Sequence, residues 1–374
     1  MHKWFSPVAR FVLAALPLAV IAWASPSPDR VTDRRIYEAT AERGIVRDCS
    51  DLQCFRVLVP WVLGRLPGPS DLRWKGYAAA ANAAGAAGVF TLCLTFGLSR
   101  RGAAIASALS AFGFGSLYTL HDPFTSDPLM FAIGPFATYA LLNGRLALAV
   151  AMCVAGVLAK EFAAAPLYVQ AAYGAIERRW TEALRVLAGA NAAFLTWAAL
   201  TIALMIGFNY SYGWNGNGSA DFMHGAALAL WLRFQSARGV AFAMFNELGA
   251  MWLLAPAGLL FAPAVLRRLL AVSLPVAAVF CYVQQPDRAL WNFHYLATPL
   301  AALVLEQSPR ALAAAFVAAF AIGNLRVGAQ LSLEPFARVA IAVSVVLAAA
   351  AVAAAARAAR QHAAPAPFAA GVRS

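Results

Sequence analysis

Long apolar stretches separated by short polar breaks run along almost the whole chain. A transmembrane helix needs about 20 apolar residues in succession, and the hydropathy pattern predicts ten to twelve such spans. Several of the stretches are shorter than about 18 residues, which gives the count its range. The predicted segments are residues 8–23, 77–98, 103–120, 128–142, 146–158, 162–175, 184–208, 240–266, 269–283, 295–305, 311–322 and 339–356.

The composition agrees with this pattern. Of the 374 residues 62% are hydrophobic and only 12% are charged, whereas soluble domains average about 45–50% apolar and about 25% charged residues. A water-soluble globule is therefore excluded. The sequence predicts an all-α polytopic membrane protein, with one transmembrane domain over residues 1–362 and a disordered Ala/Pro-rich cytoplasmic tail over 363–374.

The distribution of basic residues predicts an orientation. The formal net charge is +12, and no basic block alternates with aromatic residues as a nucleic-acid surface requires. Arg and Lys instead recur in short breaks, which favours a cytoplasmic position for those breaks and for both termini. The breaks are residues 99–101, 143–145, 177–179, 267–268 and 310. The first apolar stretch also fits a cleaved signal peptide, and this alternative leaves the following loop outside.

The first outer loop, residues 25–76, is the most informative region. Residues 33–43 predict a short helix that ends at Gly44. Apolar residues between Phe55 and Leu66 recur on one helical face, with Ser50 or Asp51 as N-cap. That second helix is too short to span, so we expect it to lie in the membrane interface, bent at Pro60.

Two cysteines of the first outer loop predict a structural disulfide. Cys49 and Cys54 lie close together in the sequence, on the side where an oxidising compartment allows a bridge. The spacing also suits a metal site, but no histidine lies nearby.

Most of the 17 acidic residues fall in the outer segments. Carboxylates do little to set topology, so their position has two interpretations. They are either solvated loop surface or part of an active site that faces away from the cytoplasm.

Four short motifs in these segments resemble the GT-C class of integral-membrane glycosyltransferases, together with the span pattern. They are DRRIY at 33–37, FRVLVPW at 55–61, TSDPL at 125–129 and AKEF at 159–162. The resemblance implies a polyprenyl-phosphate-linked sugar donor, a glycan or lipid acceptor, and an active site on the periplasmic side of a bacterial inner membrane. The first loop lacks the tight pair of acids found in that class, and the chain lacks a soluble C-terminal domain.

Such a reaction requires a carboxylate that accepts the proton of the acceptor hydroxyl. Asp33 is the candidate catalytic base, and Asp29 is its rival one turn away. Alternatively, Asp33 caps the loop helix and pairs with a neighbouring arginine. Asp122 is the candidate second carboxylate, which orients the acceptor or, with Asp33, holds a divalent cation such as Mg²⁺ or Mn²⁺. No other metal site or cofactor is predicted.

The remaining candidates bind the donor or the sugar. Cationic groups stabilise a departing phosphate, and the candidates for this role are Lys160, Arg288 and His294. The candidates for substrate contact are Asp29, Tyr37, Asp127, Glu161 and Trp214. Several of these residues also have a purely structural interpretation. Asp127 can be a helix cap, Lys160–Glu161 a short turn, Arg288 part of a surface ion pair, and Trp214 part of a turn with interfacial aromatic residues.

Two other functions fit the same sequence. A transporter or flippase of lipid-linked saccharides would need polar residues in both halves of the membrane, whereas the predicted cytoplasmic halves are apolar. A non-catalytic membrane subunit of the GT-C type would keep the fold without the chemistry.

Overall fold

The computed structural model describes residues 6–28, 32–211, 236–283 and 286–363. These residues form α-helices, two short 3₁₀ helices and connecting turns, without a β-strand in the described ranges. The all-α class predicted from the sequence is confirmed. The tail was predicted over 363–374: Ala363 is the last residue of the final helix, and residues 364–374 lie outside the described residues.

The helices follow one another with short connections. The first part comprises α1 (Pro7–Ala24), α2 (Thr32–Arg43), α3 (Leu58–Leu63), α4 (Ser70–Thr95), α5 (Arg100–Ala111), α6 (Phe114–His121), α7 (Asp127–Leu142), α8 (Leu146–Val157), α9 (Ala165–Ile176) and α10 (Trp180–Phe208). The second part comprises α11 (Ala237–Leu248), α12 (Met251–Gly258), α13 (Ala264–Val283), α14 (Pro286–Trp291), α15 (His294–Glu306), α16 (Arg310–Val327) and α17 (Phe336–Ala363). The 3₁₀ helices are Leu52–Phe55 and Glu161–Ala164.

Six helical segments in the described residues are long and apolar enough to cross a membrane, or seven if the bent pair α11–α12 counts as one span. They are α1, α4, α5 with α6, α10, α16 and α17. The protein is therefore multi-pass. The sequence predicts ten to twelve spans, which is more than this criterion finds. Several of the predicted spans are short helices, such as α8 and α9 with 12 residues each. At 1.5 Å per residue such a helix is about 18 Å long.

Contacts between turns define two ends of the helical bundle. At one end, here called the loop end, Lys75 Nζ donates to the carbonyl of Ser25 (2.9 Å), and Leu58 N donates to the carbonyl of Leu158 (3.1 Å). At the other end, Ser99 N donates to a Glu306 carboxylate oxygen (3.2 Å). Helix α4 has 26 residues and is about 39 Å long, so it connects both ends.

Helices α4 and α7 pack closely because α4 carries small residues on the shared face. A Cβ atom on Gly85 would lie 3.1 Å from the carbonyl oxygen of Phe131, and one on Gly88 would lie 3.0 Å from a ring carbon of Pro135. Larger side chains would force the helices apart. This contact fixes the position of Asp127, the first residue of α7, relative to the first loop.

The first loop folds as short pieces. The predicted helix over 33–43 is confirmed, and Gly44 follows it at φ +76°. The predicted continuous helix from Phe55 to Leu66 is wrong, because a 3₁₀ turn and the six-residue α3 replace it. Asp51 precedes the 3₁₀ turn without a side-chain capping bond. Val62 and Leu66 of the apolar stripe are exposed, whereas Phe55, Val59 and Leu63 are buried.

The loop is tied to the end of α10. Cys49 and Cys54 form a disulfide, the pairing that the sequence predicts. Asp48 N donates to the carbonyl of Phe208 (3.0 Å), and Ser211 N donates to the carbonyl of Cys49 (3.0 Å). The disulfide segment therefore has a fixed position against the bundle.

Candidate functional site

Two adjacent ion pairs lie where the first loop meets the bundle. Lys160 Nζ contacts Asp127 Oδ1, and the guanidinium of Arg56 contacts the carboxylate of Glu161. Lys160 and Asp127 are only 2% and 4% exposed, and Arg56 is 8% exposed. We call these four residues the ionic layer. Its two positive and two negative charges balance, as buried charges require.

Local sequence explains how Lys160 and Asp127 meet. Helix α8 ends at Val157, and Lys160 follows in an extended conformation before the 3₁₀ turn. Asp127 begins α7, with Pro128 as the next residue. A carboxylate is stabilised at a helix N-terminus, and proline tolerates the first turn. The predicted cap role of Asp127 is wrong, because Ser126 is the N-cap residue and no side-chain capping bond forms. Asp127 lies instead in the first turn of α7, where its carboxylate is bound to a buried cation.

Arg56 binds Glu161 through two donors on one edge of its guanidinium group. Arg56 Nη2 donates to Glu161 Oε1 (2.7 Å), and Nε donates to Oε2 (3.1 Å). Burial alone raises the pKa of the Glu161 carboxyl group, but the positive charges of Arg56 and Lys160 outweigh it and lower the pKa. Glu161 is therefore held as a carboxylate.

Tyr37 is fully buried beside the ionic layer. Its ring packs on Trp74 with centroids 5.4 Å apart, and Arg56 and Ser126 are the polar groups near its hydroxyl. In the described residues that hydroxyl makes no hydrogen bond of ordinary geometry. Burial raises its pKa, and this effect, together with the charge of Asp33, outweighs the lowering by the charge of Arg56, so the hydroxyl stays protonated.

Asp33 lies on the same helix as Tyr37, one turn earlier, and is partly exposed. Its Oδ1 accepts a hydrogen bond from Gln53 Nε2 (2.8 Å). Gln53 belongs to the 3₁₀ turn Leu52–Phe55, and the next residue, Cys54, forms the disulfide with Cys49. Asp51 is close enough that the charge of Asp33 raises its pKa, after the larger effect of burial. The carboxylate of Asp33 is thus held in position near the ionic layer, and part of it is accessible to solvent.

Arg34 and Glu38 hold α2 against α4 and Phe124. Arg34 Nη2 contacts Asp71 Oδ1 (2.7 Å) and Glu38 Oε1 (3.2 Å), and its guanidinium lies 4.5 Å from the centre of the Phe124 ring. Arg34 is one of the two arginines that the sequence offers as a partner of Asp33. In the structure the ion pairs of Arg34 are with Asp71 and Glu38.

Asp122 is placed by a different part of the loop end. It follows the last residue of α6, and its backbone N donates to the carbonyl of Tyr118 (2.8 Å). The neighbouring His121 lies close to the backbone of Pro26 and to the positively charged side chain of Lys75. Within the described ranges, no group of three or more His, Cys, Asp or Glu side chains is arranged to hold a metal ion. A divalent cation at Asp33 and Asp122 stays a prediction.

His294 occupies a separate, apolar environment. It is fully buried, its ring stacks on Trp291 with centroids 5.1 Å apart, and Nδ1 lies 2.9 Å from the carbonyl oxygen of Trp291. It also meets the ring of Phe131, one turn after Asp127 on α7. This packing favours a structural role over the predicted contact with phosphate.

Three predicted residues cannot be placed in the same way. Asp29 and Trp214 lie outside the described residues, and the side chain of Arg288 in α14 does as well. The structure therefore brings together Asp33, Tyr37, Asp127, Lys160 and Glu161 among the predicted residues.

Sequence reasoning missed Arg56 as a site residue. Arg56 belongs to the FRVLVPW motif at 55–61 but is not among the site residues that the sequence predicts. A usable signal was present, because Arg56 interrupts the apolar residues between Phe55 and Leu63. A charge in such a position needs a partner.

The fold and the ionic layer define a multi-pass α-helical membrane protein with buried charges at one end of its bundle. No known protein-family model matches the chain, and no curated protein is significantly similar to it.

Proposed function

We propose that the chain is a membrane glycosyltransferase of the GT-C type. It moves a sugar from a polyprenyl-phosphate-linked donor to a glycan or lipid acceptor on the periplasmic side of a bacterial inner membrane. The observation that supports this most is the placement of Asp33 beside the ionic layer, where the first loop covers the end of the bundle.

The chemistry assigns one role to Asp33. Its carboxylate accepts the proton of an acceptor hydroxyl as that oxygen attacks the anomeric carbon of the sugar. The bond between the anomeric carbon and the phosphate oxygen breaks, and polyprenyl phosphate leaves with the electron pair. Gln53 orients Asp33 through its 2.8 Å hydrogen bond.

The cations of the ionic layer supply positive charge near the departing phosphate. Lys160 and Arg56 are each bound to a carboxylate, so the ion pairs hold both cations in position and their four charges sum to zero. Tyr37, with its raised pKa, provides a neutral hydroxyl donor at the same place.

The test is release of free polyprenyl phosphate in proteoliposomes that contain a mixture of polyprenyl-phosphate sugars and candidate acceptors. Asp33→Asn should lower release at least 100-fold, since a positioned base contributes about 10²–10⁴-fold. Glu42→Gln is the matched control, because Glu42 is an exposed acid of the same helix. It should behave like the wild type.

Other outcomes would change the proposal. Release that survives Asp33→Asn but not Asp122→Asn moves the base to Asp122. Movement of the intact lipid-linked sugar between leaflets, without release, would establish a flippase instead. Absence of both activities with every donor would favour a non-catalytic subunit.

A further inference from the structure

A cavity lies apart from the ionic layer, between the bent pair α11–α12 and helices α16 and α17. Its wall includes Asn246, Asn324 and Ser344, with the rings of Phe245 and Phe320 beside them. The residues around it are polar but uncharged, or apolar. It is therefore chemically unlike the charged site at the first loop.

The cavity forms because the helix breaks. Helices α11 and α12 meet at an angle of 62°, and Gly249 between them has φ +53°, a conformation that other residues rarely adopt. A Cβ atom on Gly249 would lie 3.3 Å from the Phe320 ring. In a membrane, interrupted helices are tolerated where the break is buried in protein or lines a cavity.

The polar groups around the cavity have unused hydrogen-bonding capacity. Asn324 is buried, and its Nδ2 donates to the carbonyl of Phe112 (3.0 Å), which leaves its carbonyl oxygen as an acceptor. Ser344 donates to the carbonyl of Ile341 within its own helix (2.7 Å). The half-buried amide of Asn246 has no hydrogen bond among the described residues.

The surroundings indicate how a ligand would arrive. Phe242 of α11, Ile322 of α16 and Val343 of α17 are exposed apolar residues on the helices that form the cavity, as expected of a surface that faces lipid. Asn324 lies in the last turn of α16, close to Ala329, whose carbonyl accepts from Ser25. The cavity is therefore near the loop end of the bundle.

We propose that this cavity binds the uncharged hydroxyl headgroup of a glycerol-type lipid from the leaflet at the loop end. Amide and hydroxyl groups can both donate to and accept from a lipid hydroxyl. A phosphate headgroup is disfavoured, because a buried anion needs a cation and none of the residues that form the wall is charged. The site does not depend on the glycosyltransferase assignment.

The experiment uses the full chain in nanodiscs with a photoactivatable, alkyne-tagged diacylglycerol. A phosphatidic acid of the same chains and label is the comparison probe. We expect the diacylglycerol to label peptides of α11, α16 or α17, and the labelling to fall at least fivefold in Asn246→Leu and in Ser344→Leu. Val343→Leu changes the exposed neighbour of Ser344 and should label as the wild type does.

Two results would overturn the proposal. Equal labelling by phosphatidic acid would mean no preference for an uncharged headgroup. Labelling that is unaffected in both cavity variants would mean ordinary lipid contact with the surface. If Ser344→Leu does not fold, judged by its gel-filtration profile, Ser344→Ala with Asn246→Ala makes the same test without added volume.

Discussion

Arg56 of the first loop and Glu161 of the turn after α8 form a two-bonded ion pair across 105 positions of the sequence. The pair joins the loop to the bundle at the point where Lys160 and Asp127 also meet. Since Tyr37 lies beside Arg56, the same pair also supports α2 and with it Asp33. This contact is therefore one of those that hold the geometry of the proposed active site, together with the bond from Gln53 to Asp33.

Arg56→Ala should therefore destabilise the protein by about 3 kcal/mol, because it leaves the Glu161 carboxylate nearly buried without its partner. The measurement is thermal unfolding in detergent. Arg35→Ala, at an exposed position of the same loop, is the control and should change little. The exchange Arg56→Glu with Glu161→Arg should recover part of the loss. No recovery, with Arg35→Ala equally destabilising, would contradict the role of the pair.

The effects of substituting Lys160 and Asp127 on the free energy of unfolding should be strongly coupled. Each single variant, Lys160→Met or Asp127→Asn, leaves one nearly buried group without its charge partner, at a cost of about 3–5 kcal/mol. The double variant removes both charges and should lose less than the sum of the two singles. A double-variant cycle of unfolding free energies measures the coupling. Additive losses would mean that the two side chains do not interact.

Stability should fall at acid pH because of Glu161. The folded state lowers the pKa of this carboxyl group below its usual 4.5. Its stabilisation is therefore complete above that value and is lost as the pH falls through the lowered pKa. Unfolding temperatures between pH 7 and pH 3 should drop less steeply in Glu161→Gln than in the wild type, although the variant starts lower. Parallel curves would assign the acid sensitivity to other groups.

Asp51→Asn should stabilise the protein at neutral pH. Burial and the charge of Asp33 raise the pKa of Asp51, so the folded state binds its proton more tightly than the unfolded state does. The ionised group then opposes folding above its usual pKa, and this penalty disappears as the pH falls. We expect a gain of about 0.5 kcal/mol at pH 7 and none near pH 3. Asp71→Asn, which loses the contact with Arg34, should give no gain.

Reduction of the Cys49–Cys54 disulfide should loosen the segment that carries Gln53. Closing so short a loop stabilises by about 2 kcal/mol, and exposed Arg47 offers a tryptic site next to it. Trypsin should cleave after Arg47 faster in reduced protein and in the double variant Cys49→Ser, Cys54→Ser. The reductant should have no further effect on the double variant. Equal cleavage rates before and after reduction would show that other contacts hold the segment.

Much of the fold was predictable because it depends on local properties. Apolar length sets the helices of a membrane protein, and short polar breaks mark its turns. The helix over 33–43 was predictable for the same reason, since its end is set by Gly44. The short helices α8 and α9 were found as apolar segments, but their length of 12 residues shows why the number of spans is not read reliably from hydropathy.

The sequence predicted several residues of the candidate site, but it did not predict how they pair. Ionisable residues such as Lys160 and Glu161 stand out in an apolar stretch, because burying them without partners costs free energy. The sequence alone therefore determined that these residues need partners. It did not determine that Lys160 binds Asp127, that Glu161 binds Arg56, or that His294 packs among rings. Those pairings join residues 33 and 105 positions apart, and only the packing of α7, the turn after α8 and the first loop brings them within hydrogen-bonding distance.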